Sequence, residues 1–478
     1  MSRHHRREFL KRAAVAGLAA STFTISGTKS SGKVLGANEK IRIAVAGING
    51  RGHAHLAAFA GMKGVEVAYL VDPDSRLFAP RSEDVKKRGG NTPVCVQDLR
   101  KALDDKTLDA VSIASPNHWH SLLAIWSCQA GKDVYVEKPC SHNIFEGRKL
   151  VEAARKYDRI VQHGTQSRSE GKWAKETAAA RSGKYGKLLI SYGYASKPRG
   201  SIGMKPPTEP PAELDYNLWL GPAAEQAYNE NYVHYNWHWF WEFGNGEIGN
   251  QGVHQMDIAR WAMPDDAAPK SVVSVGGRFG YVDQAETPNT QLTVIDFGGA
   301  KLFFEDRGLV VNGKTSKVTN EFYTELGVIK DGKFFAGGSK EGEPLGDVEF
   351  KVHPGGPFGN FIDCVRSRNR DDLNAEILEG HLSARLCHLG NISYRLGKDA
   401  PFGQPCPAFL DDKAGNEAFE DMREHLAKAN KIVLDGMTYR LGRTLTFDPQ
   451  TEKFVGDDEA NRLLTRPYRA PFVVPEQV

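Results

Sequence analysis

The chain has 478 residues, 62 of them Lys or Arg and 59 Asp or Glu, for a net charge of +3. Positions 1–37 hold seven of those bases and one of the acids, which leaves 55 basic against 58 acidic side chains in the rest. A body without surplus positive charge excludes the electrostatic footprint of a nucleic-acid or anionic-lipid binder.

Positions 1–37 read as an export leader. Arg6-Arg7-Glu8-Phe9-Leu10-Lys11 fits a twin-arginine signal, and the weakly apolar run 13–20 follows it. Ser21, Thr22 and Thr24 interrupt that run, which is too short for the ~20 apolar residues a bilayer span needs. The expectation is a folded protein handed to the twin-arginine export machinery, periplasmic or otherwise exported, with cleavage near Ala37 and no stable membrane insertion. About 440 residues remain, more than one ordinary core accommodates. Six cysteines without a C-x-x-C pair are expected as buried thiols.

From Ile41 apolar strands alternate with helical stretches. Strands are predicted at 41–46, 65–71, 109–114 and 133–136, and helices at 51–62, 74–88, 118–130 and 144–157. This alternation predicts a doubly wound parallel sheet of Rossmann type over 38–163, with ligands at the carboxyl ends of its strands. The pattern changes after about 164. A helix at 172–182, a strand at 188–194, a Pro-rich loop at 206–211, strands at 272–277, 290–296 and 300–305, and helices at 358–366 and 377–396 follow. We divide this part into 164–398, for substrate and self-association, and 399–478, an extension apolar enough to dock on the body.

The loop Val45-Ala46-Gly47-Ile48-Asn49-Gly50-Arg51-Gly52 joins the first strand to the first helix. Gly47 and Gly52 hold the first and third positions of G-x-G-x-x-G. Asn49 stands at the second, with Gly50 beside it. Such a loop turns tightly and offers helix N–H groups to a pyrophosphate. Asp72 ends the next strand, where a carboxylate accepts from a ribose 2′-OH and repels a 2′-phosphate. NAD is therefore the expected cofactor over NADP, with Gly47, Asn49, Gly50, Arg51, Gly52 and Asp72 as contacts. Ser115, Pro116, Asn117 and His120 follow a third strand end, and Glu137 and Lys138 a fourth.

Glu137-Lys138-Pro139, taken with the glycine loop, Ser115-Pro116-Asn117-His118-Trp119-His120 and Ala130-Gly131-Lys132, resembles the Gfo/Idh/MocA family of glucose–fructose oxidoreductase and inositol dehydrogenase. The resemblance runs from Ile41 to at least Leu396. It implies an α/β protein: a Rossmann domain followed by an α+β domain with a large, mostly antiparallel sheet, often assembled as a homodimer or homotetramer. It implies hydride transfer from a sugar or cyclitol hydroxyl to nicotinamide, with Lys138 at the reacting hydroxyl and the cofactor. A second motif of the family, an acid four residues before a histidine, maps onto Asn250 and His254. His254 is then the expected general base. Asn250 can orient a hydroxyl but cannot take its proton. Asp257 and Glu247 are the acids that could compensate, Asp257 being expected at the substrate.

Gln166 and Arg168 follow the last Rossmann strand and are placed at the substrate, with a structural ion pair the alternative for Arg168. Trp237 and Trp239 either stack on a sugar or pack internally. His381, seven residues before His388 on a late helix, is a further substrate candidate. His53 and His55 stand beside the loop with no carboxylate or cysteine at metal-ligand spacing in the sequence, and no metal site is predicted. The reading is an exported NAD-dependent oxidoreductase of a sugar, glycoside or cyclitol hydroxyl. Beside it stand a redox-neutral glycoside-cleaving enzyme working through a keto-sugar and a non-catalytic sugar-binding or scaffold protein.

Overall fold

The computed structural model describes residues 40–309 and 317–478; the leader and its cleavage point lie outside the described residues. Six strands form one sheet: β1 (Ile41–Ala46), β2 (Val65–Val71), β3 (Val94–Val96), β4 (Ala110–Ile113), β5 (Asp133–Val136) and β6 (Val161–His163). All their pairings are parallel, in the order β3-β2-β1-β4-β5-β6. The period of two sends Ile41, Ile43 and Val45 into one core and Ala44 and Ala46 into the other, so helices cover both faces. Strand order reverses between β1 and β4. The loops after these two strands therefore diverge from a common crevice, the place where such sheets bind ligands.

Two details differ from expectation. β3 and the helix Leu99–Leu103 were not anticipated, because three- and five-residue elements carry too little periodicity. The helix expected from 74 starts at Phe78, because the Asp74 side chain accepts the Arg76 N–H and caps a separate turn, Ser75–Leu77.

The second sheet is large and mostly antiparallel. Its centre runs β11 (Lys317–Thr324), β7 (Leu188–Ser196), β10 (Lys301–Arg307), β9 (Thr290–Asp296), β8 (Ser271–Gly277), with β7 and β10 parallel. The helices Gly252–Trp261 and Ile377–Arg395 pack on one face, placing Val253, Met256, Leu386 and Leu389 against Leu302, Phe304 and Ile295. Phe402, Phe419 and Tyr439 cover Val275, Val294 and Phe303 on the other.

The segment after 399 does more than lie on the surface. Two further strands, Lys398–Pro401 and Thr438–Leu441, extend the large sheet beyond β8. Phe472, Val474 and Val478 then enter the core of the parallel sheet's helices, where Phe472 meets Trp119 edge-on at 5.4 Å between ring centres. All six cysteines are free, and five are buried. Among the described residues no helix is long and apolar enough to cross a membrane.

Phe472 is 2% exposed and fills a gap between two indoles. Phe472→Ala is expected to lower unfolding free energy by about 3 kcal/mol, read from the denaturant midpoint, with the loss concentrated in the parallel-sheet half.

Candidate active site

The glycine loop is held by backbone contact. Gly47 has φ +79°, and a Cβ there would stand 2.6 Å from the Ser115 nitrogen. A Cβ on Gly52 would stand 1.7 Å from the Gly47 carbonyl oxygen, so strand and helix meet only because both are glycine. Asn49 precedes the helix Gly50–Ala60 in extended conformation and makes no side-chain cap. The first-turn N–H groups are thus left for a ligand, which suits a pyrophosphate.

Asp72 is 5% exposed. Its Oδ2 accepts the Ile48 N–H and its Oδ1 the Asp74 N–H, each at 3.0 Å. Burial pushes its carboxyl up to about 6 against the pull of those two bonds.

A cavity of about 310 Å³ runs from this acid to Lys138. Gly47, Asn49, Gly50, Arg51 and Asp72 line one end, and Ser115, Pro116, Asn117 and His120 the middle. Glu137, Lys138, Trp237 and Asn250 line the other end. Glu137, buried, ties the two ends together: its Oε1 accepts from Arg51 Nε at 2.7 Å, His55 Nε2 at 3.1 Å and Gln166 Nε2 at 3.2 Å. Burial alone would raise this carboxyl. The bond and charge of His55, then Arg51 and Lys138, outweigh it and hold Glu137 well below the usual carboxylate range.

Lys138 Nζ donates to the Asn250 carbonyl at 2.7 Å and to its Oδ1 at 3.3 Å. Burial pushes the ammonium down, Glu137 and Glu247 push it up, and Arg51 and Arg199 push it down. Asn250 Nδ2 in turn donates to Glu247 Oε2 at 3.3 Å, and Arg199 grips that carboxylate at 2.6 and 3.1 Å.

Family-wide sequence patterns cover both halves of the chain. Residues 41–165 match the oxidoreductase family, NAD-binding Rossmann fold, and residues 199–428 and 424–474 match the oxidoreductase family, C-terminal alpha/beta domain. The chain belongs to the Gfo/Idh/MocA oxidoreductase family. Its Rossmann domain is accordingly an NAD-binding one. Among similar solved structures is the WlbA dehydrogenase of Bordetella pertussis in complex with NADH and UDP-GlcNAcA. It is 19% identical with TM-score 0.56, over 75% of this chain and 97% of that one. Levoglucosan dehydrogenase with NADH and L-sorbose is 16% identical with TM-score 0.52, over 74% and 96%. Among curated relatives, the glycosyl hydrolase family 109 protein 1 of Shewanella sp. (strain ANA-3) is 29% identical over 168 residues, 31% of this chain. The alpha-N-acetylgalactosaminidase of Shewanella oneidensis is 27% identical over the same length. The match spans only 37% of the length of each relative.

In this member of the Gfo/Idh/MocA family several anticipated residues lie elsewhere. The helix expected to carry Asn250, His254 and Asp257 on one face is two hydrogen-bonded segments, Gly246–Asn250 and Gly252–Trp261, joined through Gln251, whose backbone is itself helical at φ −83° and ψ −40°. A Cβ on Gly252 would stand 2.4 Å from the Phe304 ring, so the second helix sits tight on the sheet. Asn250 lines the cavity, and His254 does not. The His254 imidazole is half-buried, and burial, then the charge of Lys138, push it down to about 3, which keeps it neutral. Asp257, expected at the substrate, is engaged instead with Arg168, for which the alternative of a structural ion pair holds: Arg168 Nε lies 2.9 Å from both oxygens of the buried carboxylate. Ser383 and Glu379 complete that pair. His381 is wholly buried and bonds Glu452 at 2.8 Å. Trp239 is buried under the Arg199 guanidinium. Gln166 does not line the cavity and reaches it through Glu137. Gly52 packs the loop from behind. Among the described residues no group of three or more His, Cys, Asp or Glu could hold a metal ion.

Apart from Trp237 and Trp239, sequence reasoning missed the segment 213–243, which crosses the crevice like a strap. Asp215 N–H donates to the Pro73 carbonyl at 2.9 Å, and Trp119 Nε1–H to the Leu218 carbonyl at 3.0 Å. His234 Nε2 lies 2.8 Å from Asp74 Oδ2. Leu218, Trp219, His234, Tyr235 and His238 face the cavity. Density of aromatics, from Tyr216 to Phe243, was the available signal.

The raised Asp72 gives a sign to test. The cofactor-free fold holds this proton more tightly than the unfolded chain, so its stability falls as pH rises through about 6. The ionised form is the one that accepts a ribose hydroxyl, so NAD affinity should rise from about pH 5 to pH 7, and Asp72→Asn should flatten that profile in calorimetric titrations. His234→Ala should raise the NAD dissociation rate about tenfold in stopped flow.

Proposed function

We propose that this chain is an exported, NAD-dependent oxidoreductase that acts on a sugar, glycoside or cyclitol hydroxyl with its dinucleotide tightly held. One observation carries the reading: a single strapped-over cavity joins the glycine loop and Asp72 to Lys138, Asn250 and an indole face. Gly47, Asn49 and Gly50 hold the pyrophosphate, and Asp72 the ribose. NAD in that cavity supplies a hydride acceptor.

The protein's part is to place one hydroxyl and move its proton. Lys138 spends two N–H groups on Asn250 and keeps one for the substrate oxygen. His254 stands outside the cavity lining but near enough to feel the Lys138 charge, and its neutral imidazole is the base we assign to the proton as the carbon loses hydride. Glu247, clamped by Arg199, fixes Asn250 and through it the ammonium. Trp237 offers a flat apolar face suited to sugar C–H groups.

A second reading is supported by the strap and by the glycosidase names of the partial relatives. An enclosed cofactor exchanges slowly, which favours a cycle that ends with the nicotinamide as it began. The net reaction is then glycoside cleavage through a keto-sugar. Export rests on Arg6 and Arg7, and self-association as a dimer or tetramer belongs to the same proposal.

Denatured purified protein should release about one NAD per chain, as a site enclosing most of its ligand retains it. Adding sugars and methyl glycosides should raise nicotinamide absorbance near 340 nm, or p-nitrophenyl glycosides should release nitrophenol with none accumulating. Lys138→Ala should keep its NAD and lose about 10²- to 10⁴-fold in turnover. Turnover unchanged in that variant and in His254→Ala would refute both roles.

A further inference from the structure

His238 has no part in the chemistry above, yet it is 3% exposed and lines the cavity together with Lys138 and Asn250. Its Nδ1 lies 2.5 Å from the Tyr235 carbonyl oxygen. A carbonyl only accepts, so Nδ1 carries the proton and Nε2 presents a bare lone pair. That Nε2 is buried and has no hydrogen-bond partner among the described residues. Burial, then Arg199 and Lys138, hold the ring neutral, down to about 3.

The ring is fixed in place. Trp239, Tyr235 and Trp237 stand 4.0, 4.9 and 5.4 Å from it, centre to centre. Gly244 packs so closely that a Cβ would come 2.3 Å from the His238 Cα. A rigid, buried acceptor without a partner is a place prepared for a donor. Lys138 supplies the opposite polarity on the same cavity, and Trp237 an apolar wall.

We propose that His238 Nε2 accepts a hydrogen bond from a hydroxyl of the bound carbohydrate other than the one that reacts at Lys138, which makes a free hydroxyl at that position a requirement for binding. The proposal rests on the oxidoreductase reading above. A neutral imidazole of this tautomer cannot donate through Nε2, so an ether or a carboxylate placed there leaves the nitrogen bare and is rejected.

The test uses the NAD-loaded full chain and a panel of methyl hexosides in which each hydroxyl in turn is replaced by hydrogen or O-methyl. In the unaltered enzyme, one position besides the reacting one should be intolerant, with kcat/KM for NADH formation about 100-fold lower. His238→Phe should lower kcat/KM on the parent glycoside about 100-fold, chiefly through KM, and abolish discrimination at that position. His238→Gln, whose oxygen accepts, should restore part, and NAD content should be unchanged in both. Unaltered kcat/KM, or full discrimination retained in the Phe variant, overturns the proposal. NAD content lost in both variants also overturns it, because the acceptor then serves the cofactor. If the unaltered enzyme forms no NADH with any glycoside, the oxidoreductase reading fails separately, and His238 is judged by its ¹⁵N resonances in the unaltered protein. An Nε2 signal that shifts on adding a methyl hexoside supports the assignment. One that stays still, or shifts only with NAD, overturns it.

Discussion

Glu137 keeps a full negative charge where almost no water reaches, and three side-chain donors from two parts of the chain make that tolerable. Arg51 comes from the helix that follows the glycine loop, His55 from the next turn of that helix, and Gln166 from beyond β6. The Lys138 backbone N–H also bonds to Glu137, at 3.1 Å. Removing one partner of such a buried group costs about 3–5 kcal/mol, because the charge left behind stays desolvated. The orientation of the loop helix and the position of the lysine are therefore two readings of one electrostatic arrangement. Gly164 lies so close that a Cβ would come 2.9 Å from the Glu137 Cα, so even the strand beyond is shaped to this side chain.

The parallel half of the fold was legible because its signals are local. A short apolar strand, a glycine turn and an acid at the next strand end follow one another between Ile41 and Asp72, and each has a single physical cause. The cavity contains nearly every residue read this way. Readings that relied on helical spacing fared differently. A four-residue spacing puts Asn250 and His254 on one face, yet only Asn250 lines the cavity, and the hydrogen-bonded helix is interrupted at Gln251 between them. Arg168 and Asp257 both looked like substrate contacts, and nothing in either sequence neighbourhood shows that each is the other's partner across 89 positions. The strap was illegible for another reason: it has no periodicity, and its hold on the crevice is mostly through backbone carbonyls, which every residue possesses.

The catalytic end is organised as a relay of orientation. Arg199 clamps Glu247, Glu247 receives Asn250, Asn250 receives Lys138, and only the last of these needs to touch substrate. An amide in this chain suits a positioning role, because it presents an acceptor to the lysine and a donor to the glutamate at once. A carboxylate at that position would face Glu247 with like charge. The departure from the family pattern at Asn250 and the presence of a buried Glu247 are thus mutually consistent.

Phe472, Val474 and Val478 belong to the hydrophobic core of a domain whose first strand begins at Ile41. On a ribosome, those residues emerge after the whole antiparallel sheet has been made. The core of the nucleotide-binding half is therefore completed only by residues made after the antiparallel sheet: the part written first is the part finished last.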